Sequence, residues 1–436
     1  MSGDTTDGSA WMVCLGTFII MVLETGMVKS LGVLLPVLQQ QFTTKTWMIG
    51  LMISLVPGIG VVTCPLAGAL SKRFSARWTV IIFCIISSAG LIVGSLVSSV
   101  HMLSISFLFT GFGIGAEAIV VGELARYFND NEFRKASAFA RAGIAIGIII
   151  MPLLTQFLND VYGWRGTMLI LGAINLHCVI SGALLRPVSC NLQDVPKIQH
   201  HTSLQNTTKC GSEQQKTGLC SMISINIWYY LDLELFCDVI FLTRMVYSFG
   251  SGYLLTGWLI YLVPSAMDVG ISSYKAAFLA TLGGIGHLCG FIAFPVINNV
   301  LSNSVILYSA SASNCLFLLL HPLSSARHSY VGMGISSAGL GVGRPLGLLA
   351  GYQIVKENIE QSRMTNAFMW FVVAHSLGTI LSGFLSGWIY DKTGSYTISF
   401  VILSAAALLS VSLQPFADYK QLTKEATHYS PVPLKE

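Results

Sequence analysis

Charged residues are rare in the long apolar stretches of this sequence, and those that occur there are the first candidates for chemistry. Lys29 lies towards the end of the first apolar stretch, Arg141 near the start of the fifth, and Arg344 in the tenth. If such a stretch crosses a bilayer, each buried charge costs at least about 2.5–3.5 kcal/mol. These side chains are therefore expected either to pair with an acid or to bind an anionic ligand.

Two interpretations of Lys29 are open. Because lysines near helix ends commonly extend their ammonium groups to the membrane surface, Lys29 could reach the outer interface. Its ammonium group could instead lie in an outward-facing cavity and attract an anionic substrate. Glu24 lies about 140° around the helix from Lys29 and is not an obvious partner within that helix.

Arg141 has candidate charge partners on the preceding stretch. Antiparallel neighbouring helices would bring Glu117 and Glu123 to a comparable depth, and an ion pair with either would offset the cost of burying Arg141. Arg141 could instead act in the substrate pathway or a gate, and Glu123 could pair with Arg126 one turn away. The sequence leaves these alternatives open.

Two histidines fall near the middle of their apolar stretches, His287 in the eighth and His375 in the eleventh. A single membrane histidine is usually a hydrogen-bonded packing residue. Two at one depth in one half of the chain also fit a proton or substrate site, because histidine titrates near neutral pH. Arg344 lies nearer the cytoplasmic side of the same half.

The sequence lacks the motifs that mark common enzymes, metal sites and nucleotide sites. We find no HExxH, no GxSxG with suitable partners, no CxxC metal spacing and no P-loop. We therefore predict a protein that is not an enzyme and that uses no metal or cofactor. The missing nucleotide-binding loop disfavours an ATP-driven pump and favours a carrier driven by a substrate or ion gradient.

Composition shows that membrane helices must position these residues. Of the 436 residues, 53% are hydrophobic and 10% are charged, whereas soluble domains carry about 25% charged residues. A water-soluble globule is excluded, and the net charge of +4 is too small to indicate a nucleic-acid partner. Twelve stretches long enough to span a bilayer are predicted at 11–33, 47–70, 78–98, 103–124, 136–158, 166–185, 239–263, 274–297, 303–322, 329–352, 364–386 and 396–416.

The alternation of polar and apolar segments predicts five regions. They are a cytoplasmic N-terminus at 1–10, a six-helix half at 11–185, a cytoplasmic linker at 186–237, a second six-helix half at 238–416 and a cytoplasmic tail at 417–436. With both termini cytoplasmic, fifteen Lys and Arg residues lie on the cytoplasmic side and five on the outer side, as the positive-inside rule requires. The sequon at Asn206 then falls in the linker and should never be glycosylated.

Two six-helix halves around a polar linker resemble the plan of the major facilitator superfamily. The segment from Gly68 to Arg77 resembles that superfamily's gate pattern G-x-L-x-D-R-x-G-R-R, although Lys72 replaces the acidic residue and Ser75 the second glycine. The resemblance implies an all-α membrane protein with twelve transmembrane helices. It also implies alternating access, in which the halves rock around a site near the bilayer midplane.

Within that superfamily, residues 7–416 resemble the monocarboxylate transporters, as a divergent member. The matching segments are Asp7-Gly8-Ser9-Ala10-Trp11, Lys29-Ser30, Tyr127-Phe128, Arg134 through Gly147, Gly163-Trp164-Arg165-Gly166, Tyr261-Leu262-Val263-Pro264, Thr365-Asn366-Ala367-Phe368 and Gly387 through Tyr396. The resemblance implies a plasma-membrane carrier for a small organic acid or zwitterion, run as a uniport or with protons or Na⁺. Some family members also need a single-span chaperone glycoprotein.

One departure from the family bears on the substrate. Lactate-type members place an Asp and, four residues later, an Arg on the eighth span, and here these positions hold His287 and Phe291. Because Phe291 cannot bind a carboxylate, creatine, carnitine, aromatic amino acids or iodothyronines are favoured over lactate or pyruvate. The same departure leaves a second hypothesis, a non-transporting receptor or scaffold that keeps the transporter fold.

Overall fold

The protein is described here by a computed structural model that covers residues 7–128, 130–185, 233–359 and 363–428. These residues are helical apart from short connections. The helices before the gap at 186–232 are α1 (Asp7–Phe42), α2 (Thr46–Gly58), α3 (Gly60–Phe74), α4 (Ala76–Leu96), α5 (Val100–Thr110), α6 (Phe112–Tyr127), α7 (Asp130–Asn175) and α8 (Cys178–Leu184). After a 3-10 turn at Leu233–Cys237 come α9 (Val239–Asp268), α10 (Ser273–Ile297), α11 (Asn303–Ala326), α12 (Tyr330–Asn358), α13 (Met364–Thr393), α14 (Thr397–Ser412) and α15 (Gln414–His428).

Ten helical runs in the described residues are long and apolar enough to cross a membrane, where the sequence predicts twelve. The fifth and sixth predicted spans lie in one run, Ala136–Leu184, of 49 residues. At 1.5 Å per residue this run is more than twice as long as the hydrocarbon core is thick. It turns at Gly163, whose φ of 67° suits glycine. The tenth predicted span is α12, a 29-residue helix that is absent from this apolar set.

The turn between α3 and α4 gives a physical meaning to the altered gate pattern. Ser75 connects the two helices with φ 89° and ψ 147°, a backbone region that glycine adopts without strain. The superfamily pattern has glycine at this position, so Ser75 holds strain of about 1–3 kcal/mol that glycine would relieve. The side chain of Lys72, the other departure, lies outside what the structure describes.

The two halves pack within themselves and then against each other mainly along three helix pairs. In the N-terminal half α1 packs on α7, and in the C-terminal half α9 packs on α13 while α12 packs on both α10 and α11. Between the halves, α2 packs on α13, α7 on α10, and α1 on α9. The largest buried apolar cluster contains residues of both halves, so the main hydrophobic core runs across the interface.

The halves are joined at the end of the bundle opposite the chain termini. Both carboxylate oxygens of Asp391, near the end of α13, accept hydrogen bonds from the first turn of α2, at 3.0 Å from Thr46 N and 2.9 Å from Trp47 N. Close by, Tyr261 of α9 donates to Gly383 O at 2.5 Å. A Cβ at Gly50 would lie 1.8 Å from the Tyr261 hydroxyl oxygen, so α2 can approach only because residue 50 has no side chain.

The predicted linker and tail are covered only in part. Residues 186–232 of the linker, including Asn206, lie outside the described residues. Within the predicted tail, α15 is a polar helix that extends from Gln414 to His428. Arg244 of α9 holds this helix, since it pairs with Asp418 at 2.5 Å and also donates to Gln414 Oε1.

Candidate functional site

Three of the predicted site residues meet around one tryptophan at the interface between the halves. The ammonium nitrogen of Lys29 (α1) lies 5.0 Å from the ring centroid of Trp258 (α9). The His287 ring (α10) lies parallel to the indole within 4°, with ring centroids 5.7 Å apart. Phe291 meets His287 edge-on at 6.2 Å. We call these four residues the Trp258 column.

Lys29 reaches neither the membrane surface nor an open cavity in this structure, so neither sequence interpretation describes its position. Its side chain is fully buried, and Nζ donates to Leu259 O at 2.8 Å and to Trp258 O at 3.4 Å. The reason is the direct packing of α1 on α9, where a Cβ at Gly32 would lie 2.9 Å from Leu259 O. Lys29 therefore links the two halves through backbone carbonyls.

Two polar atoms of the column lack hydrogen-bond partners among the described residues. They are Trp258 Nε1 and His287 Nδ1, both buried. Gly283 O, one turn back on α10, is a backbone neighbour of His287, but no bond of normal geometry reaches Nδ1. Buried polar atoms are usually paired, and exceptions mark places where water or a ligand binds. The column therefore has unused hydrogen-bonding capacity.

Arg344 of α12 lies in a small polar chamber inside the C-terminal half. It is 4% exposed, and Nη1 donates to Ser251 Oγ of α9 at 3.1 Å. Arg344 Nε and Asn314 Oδ1 are both buried without a partner in the described part of the chain. The chamber they line with Tyr247 has a volume of about 10 Å³, which is room for one water molecule.

Close glycine packing brings Arg344 next to the Trp258 column. A Cβ at Gly286 of α10 would lie 2.1 Å from Ala338 O of α12, and one at Gly341 of α12 would lie 2.1 Å from Gly283 O. Such contacts are possible only between helices with small residues at their interface. As a result, the positive charge of Arg344 acts on both His287 and His375.

Arg141 lies away from this chamber and connects the halves nearer the chain termini. Its guanidinium carbon is 5.0 Å from the ring centroid of Tyr352 on α12, within the range of a cation–π interaction. Its electrostatic partner in its own half is Glu117, one of the two predicted acids. Glu123 lies six residues further along α6, where it has contacts of its own.

Sequence reasoning missed the role of Glu24. This carboxyl group is 1% exposed, with Asn175 and Ser87 as hydrogen-bonding neighbours and Glu117 as a charged neighbour. A Cβ at Gly113 of α6 would lie 2.0 Å from Glu24 Oε1. The absence of a side chain at Gly113 therefore leaves room for the Glu24 carboxylate. The one signal in the sequence was that Glu24 has no basic residue one turn away on its own helix.

We expect Gly113→Ala to destabilise the protein, because its Cβ would overlap the Glu24 carboxylate. Overpacking of this kind costs about 1–3 kcal/mol, which should appear as a lower midpoint of thermal unfolding of the purified protein. Gly122→Ala is the matched control on the same helix, since a Cβ there meets nothing within 4 Å. Equal midpoints for the two variants would contradict this account of Gly113.

The fold and these contacts can be compared with known proteins. Residues 13–382 match the Major Facilitator Superfamily, which is most of the chain. The chain belongs to the major facilitator superfamily. It is therefore a multi-pass membrane transporter of a family that does not comprise enzymes, as the sequence predicts.

Within the superfamily, the chain is distantly homologous to monocarboxylate transporters over nearly its whole length. Mouse monocarboxylate transporter 12 is 25% identical over 456 residues, covering 98% of this chain and 89% of that protein. Mouse monocarboxylate transporter 6 is 28% identical over 431 residues, covering 93% of this chain and 85% of that protein. The predicted resemblance is confirmed, and this member of the superfamily is a secondary transporter related to them.

A solved structure confirms the superfamily fold. The crystal structure of the nucleoside transporter NupG superposes with a TM-score of 0.70 and covers 94% of this chain and 98% of that chain. At 13% sequence identity, this likeness concerns the fold. The all-helical superfamily fold predicted from the sequence is thus confirmed.

Proposed function

We propose that this transporter moves a small organic carboxylate or zwitterion across the plasma membrane by alternating access, with Arg344 as the group that binds the anion. The observation that carries the proposal is a buried arginine whose described partner is a hydroxyl group and not an acid. An unbalanced cation at bilayer depth is costly and is typically functional. A substrate carboxylate would supply the missing charge through a two-pronged hydrogen bond.

The other buried arginine of the C-terminal half supports this assignment by contrast. Arg244, 3% exposed, has Asp418 and Gln414 as side-chain partners, so its charge is already balanced. Arg344 is 4% exposed and has Ser251 in place of an acid. The two arginines are equally buried and differ in their partners, which favours a structural role for the first and a ligand role for the second.

The Trp258 column favours a substrate larger or less anionic than lactate. Its aromatic rings offer flat apolar surface next to Arg344, the unpaired Trp258 Nε1 could donate a hydrogen bond, and the unpaired His287 Nδ1 could donate or accept one. We therefore propose creatine, carnitine, an aromatic amino acid or an iodothyronine ahead of lactate or pyruvate. His375 contributes a second imidazole beside Arg344.

Alternating access is supported by contacts that can be exchanged between states. Asp391 and Lys29 bridge the halves with hydrogen bonds at the end opposite the termini, while the chamber at Arg344 is too small for a carboxylate. Substrate entry therefore requires the helices to part, as rocking of the two halves would accomplish.

Tracer uptake in cells expressing this chain tests the proposal, with and without a co-expressed single-span chaperone glycoprotein. The panel is lactate, pyruvate, creatine, carnitine, tryptophan and an iodothyronine at outer pH of about 6 and about 7.5, which brackets histidine titration. Uptake of one of the four larger or zwitterionic solutes supports the proposal. Equal flux of every solute with and without the protein, at verified surface expression, favours the receptor or scaffold.

Lys29→Gln should lower uptake of the anionic solute found in that panel. Glutamine keeps a donor for the Leu259 carbonyl but removes the positive charge next to Trp258, so we expect a drop of about tenfold, the size of one lost charge interaction. Surface biotinylation provides the control, because the protein should still reach the membrane. Unchanged uptake would remove Lys29 from the substrate pathway and leave it a structural link.

A further inference from the structure

The C-terminal half contains a second cavity, at the end of the bundle opposite the chain termini, that the proposed substrate site does not use. Its volume is about 190 Å³, against about 10 Å³ for the chamber at Arg344, so it has room for a small organic molecule. The last turns of α9 and α11 and the first turn of α14 enclose it, and Asp268, His321, Tyr396 and Phe400 are among its lining residues. We call it the His321 cavity.

This cavity extends from an exposed rim to a buried floor. The rim includes Asp268, His328 and Thr397, which are all exposed. The floor includes His321, which is 2% exposed, and Phe400, which is 1% exposed, and the centroids of these two rings lie 4.4 Å apart. A ligand can therefore enter at the rim and become largely enclosed, as in most small-molecule sites.

One buried nitrogen atom of the floor is an unused hydrogen-bond acceptor. Ser265 Oγ lies 2.8 Å from Leu262 O and 2.9 Å from His321 Nε2. Because a carbonyl oxygen can only accept, the single hydroxyl hydrogen of Ser265 goes to Leu262 O, and Nε2 must donate to Ser265 Oγ. In the neutral imidazole the free lone pair is then on Nδ1, which is buried without a partner among the described residues. A ligand bound at this floor should supply a hydrogen-bond donor.

The charges at the cavity favour a cation. With histidine counted as neutral, Asp268 is the one charged side chain among the described residues that line it. Two helices, α9 and α11, end at the cavity and one, α14, begins there, so the helix dipoles also favour positive charge. The charge of Lys29 acts on His321, but its ammonium group is already bound by the carbonyls of Trp258 and Leu259.

We propose that the His321 cavity binds a small organic cation with N–H donors, such as a primary ammonium or guanidinium compound, and that the bound cation stabilises the closed arrangement of this end of the bundle. Its N–H groups donate to Asp268 and to His321 Nδ1, and its carbon skeleton packs on Tyr396 and Phe400. Both acceptors can reach one ligand, because Ser265, which holds His321, and Asp268 lie three residues apart on one face of α9.

The cavity shares a wall with the contact that joins the halves. Asp268 Oδ1 accepts a hydrogen bond from the Tyr390 hydroxyl at 2.8 Å, and Tyr390 stacks on Tyr396 with ring centroids 4.1 Å apart. The next residue, Asp391, binds the first turn of α2. A cation that fixes Asp268 and Tyr396 therefore also fixes the end of α13 that holds the halves together. This effect rests on the proposed rocking of the halves, whereas the binding itself does not.

Ligand-observed NMR with the purified full-length protein in phosphatidylcholine nanodiscs tests binding without a substrate. The probe is benzylamine, and its two analogues are uncharged benzyl alcohol and benzyltrimethylammonium, a cation without N–H groups. Empty nanodiscs provide the blank. We expect benzylamine to bind at least about tenfold more tightly than either analogue, because a hydrogen bond to a charged group contributes about that factor. Equal binding of either analogue would overturn the proposed ligand class.

Variants locate the probe in the cavity. Asp268→Asn should weaken benzylamine binding at least about tenfold, although it keeps an acceptor for the Tyr390 hydroxyl. His321→Phe retains a ring in the floor but removes Nδ1, and should weaken binding about 2- to 10-fold. The control Asp160→Asn removes an exposed acid of the N-terminal half and should bind as wild type does. Thermal unfolding shows whether each variant is folded. Wild-type affinity in folded Asp268→Asn would overturn the site.

The effect on the closed end is tested by labelling a cysteine in α2. Ser54 is fully buried, and in Ser54→Cys protein saturating benzylamine should slow modification by an anionic, membrane-impermeant methanethiosulfonate reagent at least about twofold. Adding Asp268→Asn should abolish this slowing. Binding in the NMR experiment without slower labelling would overturn the stabilisation of the closed end. If no solute of the uptake panel moves but benzylamine binds as expected, the transport proposal fails and the binding site stands.

Discussion

Arg344→Gln should lower transport of an anionic substrate by at least about 30-fold, because losing one partner of a buried charge pair costs about 2–5 kcal/mol. The positive charge of the wild-type guanidinium group acts on both His287 and His375. Glutamine fills similar space without a charge. Initial rates of tracer uptake in proteoliposomes, at a fixed amount of reconstituted protein, measure the effect.

Thermal stability separates loss of binding from loss of folding. Arg344→Gln removes a buried cation whose described partner is the Ser251 hydroxyl, so the unfolding midpoint should stay the same or rise. Arg244→Gln is the matched comparison, since it leaves the Asp418 carboxylate without its cation and should lower the midpoint. A large loss of stability in Arg344→Gln, equal to that of Arg244→Gln, would identify Arg344 as a structural residue.

Asp391→Ala should shift the protein towards the state that is open at the end opposite the chain termini. The Asp391 carboxylate accepts two backbone N–H groups from the first turn of α2, and hydrogen bonds to a charged group contribute about 1.5–3 kcal/mol. The N-terminus of a helix also favours an anion. The ratio of closed to open protein should therefore fall about 10- to 150-fold.

Chemical labelling can measure that shift. Ser54 is fully buried beside Gly383. In a Ser54→Cys background, the new thiol should react faster with a membrane-impermeant maleimide when Asp391→Ala is present than when Asp391 is kept. Mass spectrometry measures the modification at residue 54. Lys392→Ala changes the next, exposed residue and should leave the labelling rate unchanged. Equal rates in all three proteins would mean that the Asp391 contact does not hold this end closed.

The sequence predicted much of the fold because the apolar stretches are long and the positive charges are unevenly distributed. It also singled out Lys29, His287 and Arg344, since a polar residue in an apolar stretch stands out without knowledge of its neighbours. Ten apolar runs are found in place of twelve for two reasons: the fifth and sixth predicted spans form one run through Gly163, and α12 is absent from the apolar set. The sequence nevertheless divides this run between 158 and 166, and Gly163, where the helix turns, lies within that break.

The partners of these residues could not be predicted, because they depend on which helices touch. Lys29 meets backbone carbonyls of α9 that are separated from it by more than two hundred residues. Glu24 is enclosed because Gly113 of α6 has no side chain. Trp258 offered a signal that went unused: tryptophans concentrate at membrane interfaces, whereas this one lies inside the span, ten residues before the end of α9 at Asp268.

The Trp258 column should also give the protein an intrinsic fluorescence signal. Trp258 is one of eight tryptophans and is 1% exposed, between an ammonium group of the other half and an imidazole of its own half. Parting the halves withdraws the ammonium group from the face of the indole, while the imidazole stays stacked. If the halves rock as proposed, we expect the electronic environment of this single indole to change in each transport cycle and tryptophan emission to follow the motion without an added dye.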